Sequence, residues 1–405
     1  MALIVQKYGG SSMDGPERIK NVAGRVVNTK RAGHQVVAVV SAPGDMTDRL
    51  IEMAYQITPN PSPRELDMLM ATGEQISIAL LAMAIQELGE PAISLTGPQV
   101  GILTDSVHTK ASILKIDCSR LLQELEQGKI VIVAGFQGMD AFREITTLGR
   151  GGSDTTAVAI AAALKADLCE IYTDVEGVYT TDPRIVPEAR KLEAISYDEM
   201  LELACLGSKV LHPRAVELAK IYNVPLVVRS SFTEAPGTMV KEVSQMEKKM
   251  VVTGVAGDKN VAQIVVHHVP DRPGIAKAIF KALAAENINV DMIIQSAMRD
   301  GINDIAFTVA RPDLKQAVAV TERVAREIGA TGVTFRDDVA KVSIVGAGMI
   351  SHPGVAAEMF ACLAEEGINI HMISTSEIKV SCIIDEELLE KAIKALHRRF
   401  NLDKI

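Results

Sequence analysis

Residues 271–296 read DRPGIAKAIFKALAAENINVDMIIQS, and residues 351–376 read SHPGVAAEMFACLAEEGINIHMISTS. About 12 of the 26 positions match without a gap, which marks an internal repeat and not shared composition. Each copy follows an apolar run that reads as a strand (263–269 and 341–345). Each then has Pro-Gly, a helical pattern and a strand opening on Ile-Asn. A second strand and helix follow both copies (304–309 with 313–327; 379–384 with 386–400). That order predicts two small ferredoxin-like βαββαβ units, over 263–340 and 341–405. The polar stretch 242–249 has no apolar periodicity, so 241–262 is expected to be a linker.

The first 240 residues have a different rhythm. The continuous apolar run at 36–40 and the strand-like runs at 3–6, 130–134, 169–173 and 226–229 suit strands buried on both faces. Helical patterns lie between them, at 16–31, 64–88 and the Ala-rich 155–164. Such alternation predicts an α/β domain over 1–240, with a mainly parallel sheet covered by helices on both faces. At 405 residues and 48 % hydrophobic, the chain has material for several cores. Its 51 acidic residues against 42 Lys and Arg give a net charge of −9. That argues against a nucleic-acid partner, which needs net basic surface. A small anion remains possible, because a local cluster of cations and N–H groups serves it on an acidic body. Aromatics are 3 % with no Trp, so base-stacking platforms are not expected. The five Cys (118, 169, 205, 362, 382) form no C-x-x-C, which disfavours disulfides and zinc and points to a reducing cytoplasm. The opening MALIVQKYGG reads as a strand and not as a leader, and no membrane helix is expected.

Three segments carry the chemistry. Lys7-Tyr8-Gly9-Gly10-Ser11-Ser12 ends the first strand and precedes a helix, where glycines let backbone approach a phosphate. Gly149-Arg150-Gly151-Gly152-Ser153-Asp154-Thr155-Thr156 opens a helix with the composition of an anion nest. Tyr172 to Arg184 directly follows a buried strand, at the sheet edge where open α/β folds bind ligands. Each alone also reads as an ordinary turn or helix cap. No G-x-x-x-x-G-K-[ST] occurs, so there is no P-loop. Val345 to Ser351 lacks the third glycine of a dinucleotide fingerprint and lies within the repeat. His267 and His268 alternate on a strand, and His34, His108 and His212 show no ligand spacing, so no protein metal site is expected.

Together with Val40-Ser41-Ala42, Thr47-Asp48, Thr72-Gly73-Glu74 and Ser208-Lys209-Val210-Leu211-His212-Pro213, these segments resemble the motif set of the aspartate kinase family. That family belongs to the amino-acid kinase superfamily, and the repeat resembles its paired ACT domains. Tyr8 and Ser11 stand where Phe and Thr are more usual; both changes are conservative. The resemblance covers essentially the whole chain, and no homoserine dehydrogenase follows, so a monofunctional enzyme is implied. It implies a three-layer αβα kinase domain and transfer of a phosphoryl group from ATP to the side-chain carboxylate of L-aspartate, with Mg²⁺ accompanying ATP. Lys7, Asp154 and Asp174 would be catalytic, Lys7 stabilising the transition state. Lys7, Tyr8, Gly9, Gly10, Ser11, Thr173, Asp174, Tyr179, Asp182, Arg184, Lys209 and Val210 would hold ATP. Arg150 would grip the aspartate α-carboxylate and Glu74 its amino group, with Ser41, Thr47, Gly151, Gly152, Ser153 and Asp154 completing that pocket. By composition alone Glu74 reads as a solvated helix residue.

The ACT resemblance implies feedback by lysine, threonine or both in a biosynthetic pathway for those amino acids. Asp271, Gly274, Ile275 and Ala276 would form the effector loop, and Asn289, Val290, Asp291 and Gln295 its wall. Asn369 and Ile370 of the second copy would be offered across a subunit interface of a homo-oligomer, a dimer or tetramer. Two other readings compete: a catalytically silent amino-acid sensor, and a superfamily kinase for glutamate, acetylglutamate or UMP. Intact Lys7, Glu74, Arg150, Asp174 and Lys209 count against the first; the ACT repeat and Thr72-Gly73-Glu74 count against the second.

Overall fold

The computed structural model describes every residue except Lys209, 243–249, 299–300 and 405. The chain forms two compact units. The first comprises Met1–Val178, Lys191–Ala204 and Lys209–Gln245; the second comprises Tyr179–Arg190, Cys205–Ser208 and Met246–Ile405. The chain thus leaves the first unit twice within the span expected to be one continuous domain.

The first unit is built on an eight-stranded sheet. In spatial order its strands are Ala194–Ile195, Thr238–Val240, Leu226–Ser230, Leu168–Thr173, Leu3–Tyr8, Gln35–Val40, Ile130–Ala134 and Ala92–Leu95. Every pairing is parallel except that of Leu226–Ser230 with Thr238–Val240. The apolar runs become the central strands because both faces are covered. On one face Val36, Ala38, Val40, Ile130 and Ile132 pack on Val22, Val26, Ile78 and Leu81 of the helices Pro16–Arg31 and Thr72–Glu87. The helix Gly152–Leu164 packs on the first strand from the other face, and Pro213–Tyr222 packs on that helix. This is the expected three-layer arrangement. It leaves the carboxyl ends of the central strands along one edge.

Helices Pro63–Met70 and Thr72–Glu87 adjoin across Ala71. Among the described residues they form the one stretch long and apolar enough, by length and composition, to cross a membrane. Half of it is buried within the protein, and its buried Asp67 and Glu74 are hydrogen-bonded inside the first unit. It is built as a core helix.

The second unit holds two four-stranded antiparallel sheets. The first repeat supplies all its own strands, in the order Val290–Gln295, Ile302–Val309, Ala262–Pro270, Gly332–Arg336. That is the full βαββαβ pattern, with helices Ile275–Ala285 and Leu314–Ile328 on one face. His267 and His268 sit at a bulge in its long strand, His268 at φ +52°, and bond to Thr334 and Thr331 respectively.

The second repeat falls one strand short. Val339–Val345, Met372–Thr375 and Lys379–Asp385 come from the repeat itself. The fourth strand is Gly254–Asp258, paired antiparallel with Val339–Val345. The expected linker 241–262 is therefore corrected: its 243–249 part lies outside the described residues, and its Gly254–Asp258 part belongs to the second sheet. The first ACT-like module is inserted between that strand and the rest of the second. The physical reason is an open edge, since without a fourth strand the inner face beside helix Leu389–Arg399 would stay exposed. Val252 and Val255 join that core with Ile344, Ile393 and Leu396. Gly257 lies so close under the helix that a Cβ would stand 2.7 Å from Ile393 Cδ1. Val186, from the Tyr179–Arg190 excursion, is buried in the same core, and the Val255 amide donates to the Thr180 carbonyl at 2.8 Å.

Replacing Val255 by Asp places an unpaired charge in this core. Val255→Asp is expected to lower the unfolding free energy of the second unit by about 3 kcal/mol or more. Denaturant titration checks this as a fall in midpoint.

Candidate active site

Lys7 is the penultimate residue of the central strand Leu3–Tyr8, and its side chain points to the face covered by helix Gly152–Leu164. Its Nζ lies 2.8 Å from Asp154 Oδ1, both side chains being about nine-tenths buried. A Cβ on Gly9 would stand 3.3 Å from that ammonium. Gly10 is tighter, because a Cβ there would meet the carbonyls of Gly44 at 2.8 Å and Ala42 at 2.9 Å. The glycines therefore keep bare backbone beside a held cation, which is what a phosphoryl group requires.

The Tyr8 side chain faces away from the site. Tyr8 is fully buried on the opposite face and stacks on Tyr172, ring centroids 4.7 Å apart. Its hydroxyl donates to Gln6 Oε1 at 3.2 Å, and Gln6 Nε2 donates to Glu170 at 2.8 Å. Tyr172 and Arg229 also donate to Glu170, at 3.1 and 3.0 Å. The Tyr at this position, where Phe is more usual, thus has a partner for its hydroxyl. Burial pushes its pKa well above the ordinary tyrosine range. The Tyr8 side chain, expected on the ATP side, is core. Ser11 is exposed in the short helix Gly10–Ser12, and its carbonyl accepts from Arg18.

The second glycine cluster turns the chain into helix Gly152–Leu164. Gly149 and Gly151 have φ of +77° and +70°, a region that glycine enters without penalty. Gly151 also lies under the His212 ring, where a Cβ would come within 2.2 Å. Asp154 serves two partners, Lys7 on Oδ1 and the His212 amide on Oδ2 at 3.3 Å. Burial holds the His212 imidazole below its ordinary pKa, and its buried Nδ1 has no partner among the described residues.

Both clusters open on one cavity of about 770 Å³. It brings together Lys7, Gly9 and Gly10 with every residue expected to hold aspartate: Ser41, Thr47, Glu74, Arg150, Gly151, Gly152, Ser153 and Asp154. Glu74 is not the solvated residue that composition alone suggests. It is buried, its Oε1 accepts from the Ala42 amide at 3.0 Å, and its Oε2 has no partner among the described residues. Burial pushes its pKa up to about 7. Thr109, Lys110 and Phe136 also line the cavity and were not foreseen. Thr109 and Phe136 have φ of +66° and +67°, which no motif announces.

The residues expected on the nucleotide side are more dispersed. Thr173 and Asp174 end the strand next to Lys7, the Thr173 hydroxyl donating to Asp174 at 3.1 Å. Tyr179, Asp182 and Arg184 group with the second unit. Arg184 donates to Asp182 at 2.7 Å and holds that carboxyl below its ordinary range. Val210 is half-buried in the first unit; Lys209 lies outside the described residues.

In the second unit a cavity of about 380 Å³ collects Asp271, Gly274, Ile275, Ala276 and Gln295. Asn303, not foreseen, also lines it. Its Nδ2 donates to Asp271 at 3.3 Å and its buried Oδ1 has no partner among the described residues. Asn289, Val290, Asn369 and Ile370 are not among its walls, and neither is Asp291, whose carboxylate pairs with Lys341.

Gly151→Ala forces the His212 ring to move and strains the left-handed turn. A loss of about 1–3 kcal/mol is expected, read as a lower denaturant midpoint at unchanged slope.

Comparison with known proteins agrees with this arrangement. The Amino acid kinase family model matches residues 2–230, and ACT domain models match 262–329 and 342–400. An aspartate kinase of Pseudomonas putida is 55 % identical over 405 residues, covering 100 % of this chain and 98 % of that protein. Aspartokinase 2 of Bacillus subtilis is 55 % identical over 404 residues, covering 100 % and 99 %. Among solved structures, E. coli aspartokinase III in complex with aspartate and ADP matches with a TM-score of 0.83 at 26 % identity, covering 98 % of this chain and 99 % of that one. The same enzyme in complex with lysine and aspartate matches with a TM-score of 0.75, over 98 % and 99 %. With an amino-acid kinase unit whose cavity gathers Lys7, Glu74 and Arg150, two ACT domains following it in sequence, and relatives of this identity along its whole length, the chain belongs to the aspartate kinase family.

Proposed function

We propose that the 770 Å³ cavity binds L-aspartate beside ATP and that Lys7 carries the phosphoryl transfer. The observation behind this reading is the ammonium of Lys7, fixed 2.8 Å from Asp154 and bordered by the bare backbone of Gly9 and Gly10. The nucleophile is a carboxylate with a reference pKa of about 3.9, already ionised at neutral pH. No general base is needed. The barrier lies in bringing an anion to a polyanion, which cations and oriented N–H groups lower. Asp154 orients Lys7, Lys7 meets the charge growing on the transferred phosphoryl, and Arg150 holds the α-carboxylate with a planar fork. Ser41, Thr47, Ser153 and the Gly151–Gly152 backbone complete the aspartate pocket. Thr173 and Asp174, at the end of the strand beside Lys7, serve the nucleotide side.

Glu74 receives the α-ammonium. The free Oε2 of a buried carboxylate supports this, because only a cation or donor compensates such burial. Mg²⁺ enters with ATP. A carboxylate such as Asp174 would hold it, with phosphates and waters supplying the remaining ligands of a hard cation. When bound, Mg²⁺ neutralises phosphate charge.

The product, 4-phospho-L-aspartate, enters lysine, threonine and methionine biosynthesis. Lysine, threonine or both regulate the enzyme through the ACT domains. The 380 Å³ cavity supports this: it offers the Asp271 carboxylate and a free Asn303 carbonyl to an ammonium, and the start of helix Ile275–Ala285 to a carboxylate. Binding of lysine and aspartate by a structural relative fits the same reading. The enzyme is a cytoplasmic homo-oligomer joined through its ACT domains.

Lys7→Ala is expected to lower kcat about 100-fold or more with the fold intact by circular dichroism. Arg150→Ala is expected to raise the KM for aspartate about tenfold or more and to leave that for ATP within about twofold. Glu74 adds a pH signature. Between the ordinary glutamate pKa near 4.5 and about 7 the unfolded chain ionises Glu74 and the folded one does not, so this residue's contribution to stability falls as pH rises through that window. A bound ammonium draws the pKa back down, so aspartate binding below pH 7 releases a proton. Calorimetry at pH 6.5 in buffers of different ionisation enthalpy is expected to show that release, and Glu74→Gln to abolish it.

A further inference from the structure

We propose that Asp67, which does not line the aspartate cavity, is a positioning residue for aspartate: it fixes the Thr109–Lys110 corner and, through it, the loop that carries Arg150. The proposal rests on the reading of the cavity given above. Asp67 sits on helix Pro63–Met70 with its side chain wholly buried. A buried carboxylate is costly unless its oxygens are filled, and here they are filled from outside its own helix. His108 Nδ1 lies 2.7 Å from Oδ2, the Thr109 amide donates to both oxygens at 3.1 Å, and the Thr147 hydroxyl donates to Oδ1 at 2.5 Å. One carboxylate thereby joins two segments distant in sequence, 108–109 and 147.

Both segments run into the cavity. Thr109 and Lys110 line it, as do Gly149 and Arg150. Thr109 has φ +66°, a conformation a β-branched residue enters only when its surroundings impose it. Asp67 imposes it by capturing the amide of that residue. The corner then rests on the Arg150 loop. A Cβ on Gly149 would stand 3.1 Å from the Thr109 carbonyl, so the two backbones touch at the residue before Arg150. Two further ties keep them in register. The Ala111 amide donates to the Thr147 carbonyl at 2.9 Å. Arg214 donates to the Leu148 carbonyl at 2.8 Å and to the Ala111 carbonyl at 3.0 Å. An apolar residue at position 67 would anchor the helix equally well. What only an acceptor does there is hold the corner and the glycine loop together.

The test is steady-state kinetics of the full chain with each substrate varied. Asp67→Ala is expected to raise the KM for aspartate about tenfold, with the KM for ATP within about twofold and kcat within about threefold. Asp67→Asn is expected to stay within about threefold of the parent. Its amide oxygen still accepts from Thr109 and Thr147, and its NH₂ donates to a neutral His108. Should Asp67→Ala fail to fold, Thr147→Val removes one donor alone and is expected to raise the aspartate KM about threefold. A folded Asp67→Ala with the parental aspartate KM overturns the proposal. So does a rise in both KM values together, or an Asp67→Asn as impaired as Asp67→Ala. Arg150→Ala in the same series separates the two levels. If it leaves the aspartate KM unchanged, the cavity reading falls and this proposal with it; if it raises that KM while the Asp67 and Thr147 variants do not, only the positioning role falls.

Discussion

The ion pair between Lys7 and Asp154 ties the sheet of the first unit to its site. Lys7 comes from the end of the central strand and Asp154 from the first turn of the helix packed on that strand's face. Their 2.8 Å separation fixes where the glycine turn and the glycine nest meet. A chain of net charge −9 does not attract ATP and aspartate as a body. It needs a few cations in fixed places, and strand, helix and nest supply Lys7 and Arg150 at one cavity. Beneath that edge the buried Tyr8, Gln6, Glu170, Tyr172 and Arg229 network stiffens the opposite face of the same strands.

The second unit shows how a repeat becomes two modules of different construction. The first copy is self-sufficient, and the second takes its edge strand from the chain that precedes the first. The second ACT module is therefore not a contiguous bead on the chain, whereas the first is. The excursion Tyr179–Arg190, which begins six residues after the strand next to Lys7 ends, places Val186 in the core completed by that borrowed strand. The segment expected to touch the nucleotide thus shares a hydrophobic core with the second ACT module.

Much of this was legible in the residues, for stated reasons. The runs 36–40 and 130–134 are apolar at every position, which suits a doubly covered parallel strand. The repeat announced two like units, and the glycine clusters announced where backbone comes close to something. Three features were not legible. Gly254–Asp258 reads GVAGD, two glycines and an acid in five residues, and is a strand only because the edge of Val339–Val345 lies open to it. Glu74 stands among residues that make a solvated helix face plausible, and only the packing of Ala42 over it shows a buried carboxylate. Thr109 and Phe136 take left-handed backbones through hydrogen bonds to Asp67 and Thr156, contacts across 42 and 20 residues that no local pattern encodes.

The central claim is that one cavity of the first unit reads all three charges of aspartate. A crystal structure of the full chain with L-aspartate bound tests it most directly. The account predicts the α-ammonium within hydrogen-bonding distance of Glu74 Oε2, the α-carboxylate on the Arg150 guanidinium, and the side-chain carboxylate turned toward Lys7. Aspartate bound in the reverse direction, with its side-chain carboxylate on Arg150, or bound outside this cavity, would contradict it.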